Sequence, residues 1–169
     1  MIVLETDRLT LRHLHAEDAA FILRLLNDPG WLRFIGDRGV RTLADARKYI
    51  VEGPIAMYAR CGFGLYLTER TADAAPLGMC GLIKRDSLPD VDIGFAFLPE
   101  FSGQGYAQEA AEAVMVYGKN MIGLKRIVGI TSHDNERSIK LLEKIGFRFE
   151  RAMRLPKDDE EISLFAWQA

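Results

Sequence analysis

Apolar and polar positions alternate with a period of two near the start of the chain. Leu9, Leu11 and His13 interleave with Thr10, Arg12 and Leu14, and this predicts a strand. From Ala16 to Asn27 the period lengthens to that of a helix, carried by Ala19, Ala20, Ile22, Leu23 and Leu26, and Asp28-Pro29-Gly30 reads as its stop. Thr42 with Asp45 three residues on forms a capping pair for a second helix, which fades near Gly53-Pro54. Gly62 to Glu69, Leu77 to Lys84 and Val91 to Leu98 then read as three strands of an antiparallel meander, with Thr71 to Pro76 as a polar turn and Pro99 as the close. Gly103 to Asn120 is strongly helical, and Ala107, Ala110, Ala111, Val114 and Gly118 give it a small-residue face able to lie close on a sheet. Arg126 to Thr131 predicts a strand, Asn135 to Ile145 a helix stopped by Gly146, and Phe147 to Met153 and Ile162 to Trp167 two closing strands. The acidic run Asp158 to Glu161 reads as a solvated turn between them. This order describes one α+β (mixed α/β) domain over residues 1–169, a central sheet covered by helices.

Composition narrows the function. Among 169 residues, 49% hydrophobic and 27% charged, Lys and Arg number 22 and Asp and Glu 24, so the net charge is −2 and nothing argues for nucleic acid as a partner. No apolar run reaches the ~18 residues of a membrane span, and the start, MIVLETDRLTLR, is unlike a secretory leader; a cytoplasmic protein is expected. Cys61 and Cys80 fit no disulfide framework or zinc spacing and read as buried apolar residues. His13 and His15 lie two apart on the first strand without a third ligand, so no metal is expected, and His133 is ambiguous.

The chemistry concentrates at Asp92 to Ala110, where a strand, a glycine-containing turn and a helix start follow one another. The first turn of a helix leaves backbone N–H groups unpaired, and the macrodipole adds positive potential there, so an anion is the natural partner. Gly103 and Gly105 remove side chains that would keep a phosphate from those amides. The turn is not a Rossmann fingerprint, since Gln108 stands where the third glycine belongs, and no Walker GK[ST] occurs in the chain. Gly94, inside an apolar strand, points to a bulge or a close backbone approach.

With Gly-Gln-Gly-Tyr-Ala-x-Glu-Ala at Gly103 to Ala110, Asn-x-x-Ser-x-x-Leu-x-Glu-Lys-x-Gly-Phe at Asn135 to Phe147, and the opening Glu5 to Arg12, the chain resembles the GNAT superfamily of acetyl-CoA-dependent N-acetyltransferases nearly end to end. It is similar in particular to the branch that acetylates ribosomal-protein N-termini. The resemblance implies a twisted sheet of about seven strands in which the strand ending at Phe97-Leu98 and the strand from Arg126 are parallel neighbours that splay apart around the pantetheine arm. It implies that amides of Gly103, Gln104, Gly105, Tyr106 and Ala107 hold the diphosphate, with a bulge at Gly94 opening the slot. Asn135 then contacts the coenzyme or simply caps its helix, and Arg137 or Lys140 meets an outer phosphate or faces solvent. Ser102 replaces the Gln or Arg usual before the loop, and Leu142 stands where many relatives carry a tyrosine acid.

The expected reaction is direct attack of a neutral primary amine on the acetyl thioester. An α-amine, with a reference pKa of about 7.7 to 8.0 against about 10.4 for lysine, asks less of a base. Asp92, where relatives carry a glutamate, is the candidate base, and Glu109 a second one or a helix-stabilising charge. Ser138 is the candidate donor to the leaving thiolate, or a helix-packing serine. A strand N–H near Phe95 is placed to stabilise the oxyanion. Trp31, Phe34 and Ile35 form an apolar acceptor rim or belong to the core. The leading acceptor is a protein or peptide N-terminus. A polyamine or aminoglycoside is the rival acceptor, and an acyl-CoA-binding module without turnover the rival class. A homodimer is among the arrangements the sequence admits.

Overall fold

The computed structural model describes residues 1–156 and 158–169. Eight strands form one sheet in the order β1-β2-β3-β4-β5-β6-β8-β7. They are β1 (Ile2–Glu5), β2 (Leu9–Arg12), β3 (Leu65–Arg70), β4 (Ala75–Ile83), β5 (Asp92–Phe97), β6 (Arg126–Ser132), β7 (Arg148–Met153) and β8 (Ile162–Gln168). The strand beyond the seven expected is β1, four residues paired with β2 across a tight turn. Every neighbouring pair is antiparallel except β5 and β6. Those two are joined by a crossover through a helix, as parallel strands must be.

The helices are α1 (Ala19–Leu26), α2 (Pro29–Phe34), α3 (Leu43–Ile50), α4 (Ala56–Cys61), α5 (Tyr106–Tyr117) and α6 (Glu136–Lys144). The expected helix from Ala16 opens as a single 3₁₀ turn, Ala16–Asp18, before α1 begins. Asp28-Pro29-Gly30 ends α1 but also starts α2. The Asp28 carboxylate accepts from the Gly30 amide at 3.0 Å, and Pro29 occupies the first helical position, where its missing N–H costs nothing. Thr42 and Asp45 cap α3 as expected, with the Asp45 amide donating to Thr42 Oγ1 at 3.1 Å. The helix does not fade at Gly53-Pro54, however. It widens into a π-helical segment, Val51–Ile55, that absorbs the proline and leads into α4.

Two apolar layers flank the sheet. Ile93, Tyr66, Cys80 and Leu82 pack with Tyr106, Ala110, Ala111 and Val114 of α5 and with Leu141 and Leu142 of α6. Leu67, Met79 and Leu98 pack on the other face with Ile22, Leu25 and Leu26 of α1, Trp31 of α2, and Ala46 and Ile50 of α3. Cys80 is fully buried, as expected, whereas Cys61 is half-buried at the end of α4.

The small-residue face of α5 brings it close to the sheet, and Gly118, the residue that follows it, continues that close packing. A Cβ there would lie 3.0 Å from Leu82 Cδ1 and 3.1 Å from Ile127 Cδ1. Gly118→Val forces three more carbons into that contact, and chemical denaturation is expected to show a loss of about 2 kcal/mol, in the range of core overpacking; an unchanged midpoint would mean that α5 has room to move.

Candidate active site

β5 and β6 pair at one position, Asp92 opposite Val128, where the Val128 amide donates to the Val91 carbonyl at 2.9 Å. Beyond it the strands diverge. β5 keeps its register with β4 from Ile83–Asp92 to Gly78–Phe97 without a shift, and β6 keeps its own with β8. The slot therefore opens by divergence of two well-held strands. The bulge expected at Gly94 is not present in the β4–β5 register; Gly94 is instead a close approach, where a Cβ would come within 2.9 Å of Ile83 Cδ1. The Leu98 amide donates to Leu77, so alternation along β5 turns the N–H and C=O groups of Phe95 and Phe97 toward the slot. The rings of Phe95 and Phe97 are half-buried beside the α5 layer, and Leu98 is buried in the opposite layer.

The open end of the slot lies about 20 Å along β5 from Asp92, at 3.3 Å per residue. A 3₁₀ turn, Pro99–Phe101, leads there into the loop before α5. Gly103 and Gly105 have φ of +76° and +80°, a left-handed conformation that side chains resist, and Gly105 is the N-cap of α5. None of the backbone N–H groups from Gly103 to Gln108 has a hydrogen-bond acceptor among the described residues. The loop is exposed through Gly105, while Tyr106 is buried and Ala107 half-buried. Ser102 turns its hydroxyl back to the Pro99 carbonyl at 2.7 Å, so its side chain secures the turn.

The family model of the acetyltransferase (GNAT) domain matches residues 8–148. The chain belongs to the GNAT acetyltransferase family. It is 29% identical over 154 residues to the uncharacterised N-acetyltransferase YoaA of Bacillus subtilis, covering 90% of this chain and 86% of that one. A local match to spermidine N(1)-acetyltransferase of Escherichia coli is 36% identical over 52 residues, 31% of this chain and 28% of that one. Among solved structures, the ribosomal L7/L12 α-N-protein acetyltransferase RimL in complex with coenzyme A superposes with a TM-score of 0.84 at 20% identity, over 99% of this chain and 98% of that one.

In this GNAT domain Asp92 is fully buried at the closed end of the slot and shares its two carboxylate oxygens with Arg85 Nε at 3.1 and 3.3 Å. Burial pushes its carboxyl up to about 6, against the pull of Arg85. Asn135 caps α6, its side-chain oxygen accepting from the Ser138 amide at 3.3 Å, so the capping alternative is realised. Ser138 is half-buried, while Arg137 and Lys140 are exposed. Leu142 is core.

The expected acceptor rim is divided. Trp31 is 6% exposed and packs in the core with α1 and α3, its indole N–H without a partner among the described residues. Phe34 is half-buried and Ile35 exposed. α2 nevertheless reaches the slot, since Ser132 at the end of β6 donates to the Phe34 carbonyl at 3.3 Å and Arg33 meets Asp134 at 3.4 Å. His13 and His15 lie beyond β2 and part company: His13 stacks on Tyr58 with ring centres 4.1 Å apart, and His15 faces Asp18. His133 bridges Ser163 and Glu161 at 2.6 and 3.0 Å.

Sequence reasoning passed over Arg8. Its Nε donates to Glu109 at 2.8 Å, its Nη1 donates to the Gln104 carbonyl at 2.9 Å, and its guanidinium lies 4.4 Å above the Tyr106 ring. Burial pushes the Glu109 carboxyl up, but hydrogen bonds from Thr6 and Arg8 outweigh it and hold the group below its usual range. Glu109 is thereby an anchor for the β1–β2 turn, fully engaged by donors. The signal in the sequence was the opening segment Glu5 to Arg12, which carries both Thr6 and Arg8.

An acid whose pKa is raised by folding stabilises the fold below its unfolded value, and that contribution is lost as the pH rises through the folded value. Asp92→Asn, which removes the buried charge, is expected to gain in melting temperature relative to wild type as the pH is raised from about 4 to about 7; a difference constant across that range would place the Asp92 pKa near its unfolded value.

Proposed function

We propose that this chain transfers the acetyl group of acetyl-CoA to the α-amine of a protein or peptide N-terminus in a direct-transfer ternary complex. One observation carries the donor assignment: the row of acceptor-free amides from Gly103 to Gln108 stands at the mouth of a slot whose inner edge exposes backbone donors and acceptors of Phe95 and Phe97. A diphosphate fits the first, with two anionic groups for a curved row of N–H dipoles. An amide-containing arm fits the second, because it satisfies strand groups that β6 leaves unpaired. Coenzyme A combines both and supplies the activated thioester. The residues of this chain orient it, shield it from water and manage the proton.

At the closed end, the Phe95 N–H faces the slot and polarises the thioester oxygen as the amine adds. Asp92, with a carboxyl near 6, is poised to accept a proton from an ammonium close to neutrality, and its burial under Arg85 makes that transfer a relayed one. Ser138, with its hydroxyl unengaged by the described residues, donates to the departing thiolate. A thiol with a reference pKa of about 8.5 leaves with little help, so this contribution is small.

The local likeness to a spermidine acetyltransferase favours a polyamine as the second reading. The charge around Asp92 favours the first. Arg85 pairs with that carboxylate and Lys84 adds positive charge near it, while Arg38 and Arg85 add positive charge near the half-buried Tyr49. A polycationic substrate meets more repulsion there than a single α-amine, which carries at most one positive charge and is neutral in a substantial fraction near pH 8.

A panel of N-terminal peptides, polyamines and aminoglycosides, with release of free thiol as the readout, is expected to show turnover with the peptides. Turnover confined to polyamines would replace the acceptor assignment, and thiol release with none of them would remove it. Asp92→Asn is expected to lower kcat by about 10² and to flatten the acidic limb of its pH profile near 6; a retained limb would take the proton away from Asp92. In Ser138→Ala a fall in kcat of about tenfold or less with unchanged coenzyme affinity is the expected outcome, and an unchanged kcat would leave the thiolate to depart unaided.

A further inference from the structure

We infer that Arg8 is a donor-recognition residue, whose free Nη2 binds the diphosphate of the coenzyme and whose charge offsets Glu109 beside it. This rests on the acetyl-CoA reading above. The guanidinium has three nitrogens and two commitments: Nε to Glu109 and Nη1 to the carbonyl of Gln104. Nη2 has no partner among the described residues, and it lies 3.4 Å from where a Cβ on Gly105 would stand. A phosphate oxygen drawn to the acceptor-free amides of the loop therefore arrives within reach of that nitrogen. The planar fork is fixed in place by its two bonds and by the Tyr106 ring beneath it, so little side-chain freedom is lost when the third nitrogen is engaged.

The same contacts answer an electrostatic difficulty. Glu109 lies in the first turn of α5, where its negative charge opposes a dianionic ligand on the adjoining amides. Arg8, Thr6 and the Arg8 amide all donate to that carboxylate, which turns a repulsive neighbour into the anchor of a cation. The bond to the Gln104 carbonyl has a further effect. It engages the Gln104 carbonyl, so that this oxygen is turned to Arg8 and away from an anion on the neighbouring N–H groups. The pairing links residues about a hundred positions apart in sequence and ties the β1–β2 turn to the loop.

Isothermal calorimetry with coenzyme A, paired with kinetics on acetyl-CoA and on S-acetylpantetheine, which lacks the diphosphate, separates ligand contact from scaffold. Arg8→Gln is expected to weaken coenzyme A binding by about tenfold, the size of one charge-assisted hydrogen bond, while kcat/KM for S-acetylpantetheine stays at the wild-type level. Arg8→Lys, which keeps the charge and loses the fork, falls between. In the double variant Arg8→Gln with Glu109→Gln, part of the lost affinity returns, because the uncompensated carboxylate is gone. An Arg8→Gln affinity equal to wild type, or an equal loss on both acetyl donors, overturns the role of Arg8. Absence of any coenzyme A affinity in the wild-type protein overturns the donor reading itself, so the two failures are told apart. Melting temperatures of each variant confirm that the comparison is made between folded proteins.

Discussion

The site depends on a hydrogen-bond ladder that stops. β5 and β6 pair at Asp92–Val128 and then part, although each remains fully laddered to its other neighbour. Unpaired backbone groups in a half-buried setting are costly, and a fold retains them where something else completes them. In the proposed donor complex the missing partner is the pantetheine arm of the coenzyme. The strands cannot close on each other to relieve the deficit, because β4 and β8 hold them in place and the helical layers hold the sheet.

The two ends of the slot present opposite electrostatic problems and solve them by different means. At the mouth, backbone dipoles and the guanidinium of Arg8 lie together in a solvent-exposed loop, and the proposed site gains its affinity for an anion there without burying a charge. At the closed end, a carboxylate is buried, which raises its proton affinity, and Arg85 limits how far it rises. The resulting value of about 6 follows from the burial of Asp92 first and from the opposing pull of Arg85 second. An Asp92 exposed to solvent would lose the burial that holds its carboxyl up.

Much of this was legible from residue order. The capping pair Thr42–Asp45 and the glycine turn before α5 are local signals whose physics lies within a few residues, and they stand where the sequence places them. The slot was reached only through family resemblance, since periodicity identifies strands but not which pair will part. The opening segment Glu5 to Arg12 marks the region of Arg8, but its partners, Gln104 and Glu109, lie far along the chain, so its role is not legible from local sequence. For Trp31 the sequence leaves rim and core both open, and the structure takes the core, because Asp28-Pro29 starts a second helix that turns the ring inward. Gly94 was read correctly as a close approach and incorrectly as a bulge, because both leave the same mark in one sequence.

The contact at Gly118 reaches the chemistry from a distance. Gly118, just past the end of α5, packs closely against Leu82 and Ile127, so that end of the helix is set by the core. Its opposite end carries the amides of the loop. The packing of the core around Gly118 thus anchors the same helix whose first turn carries the N–H row.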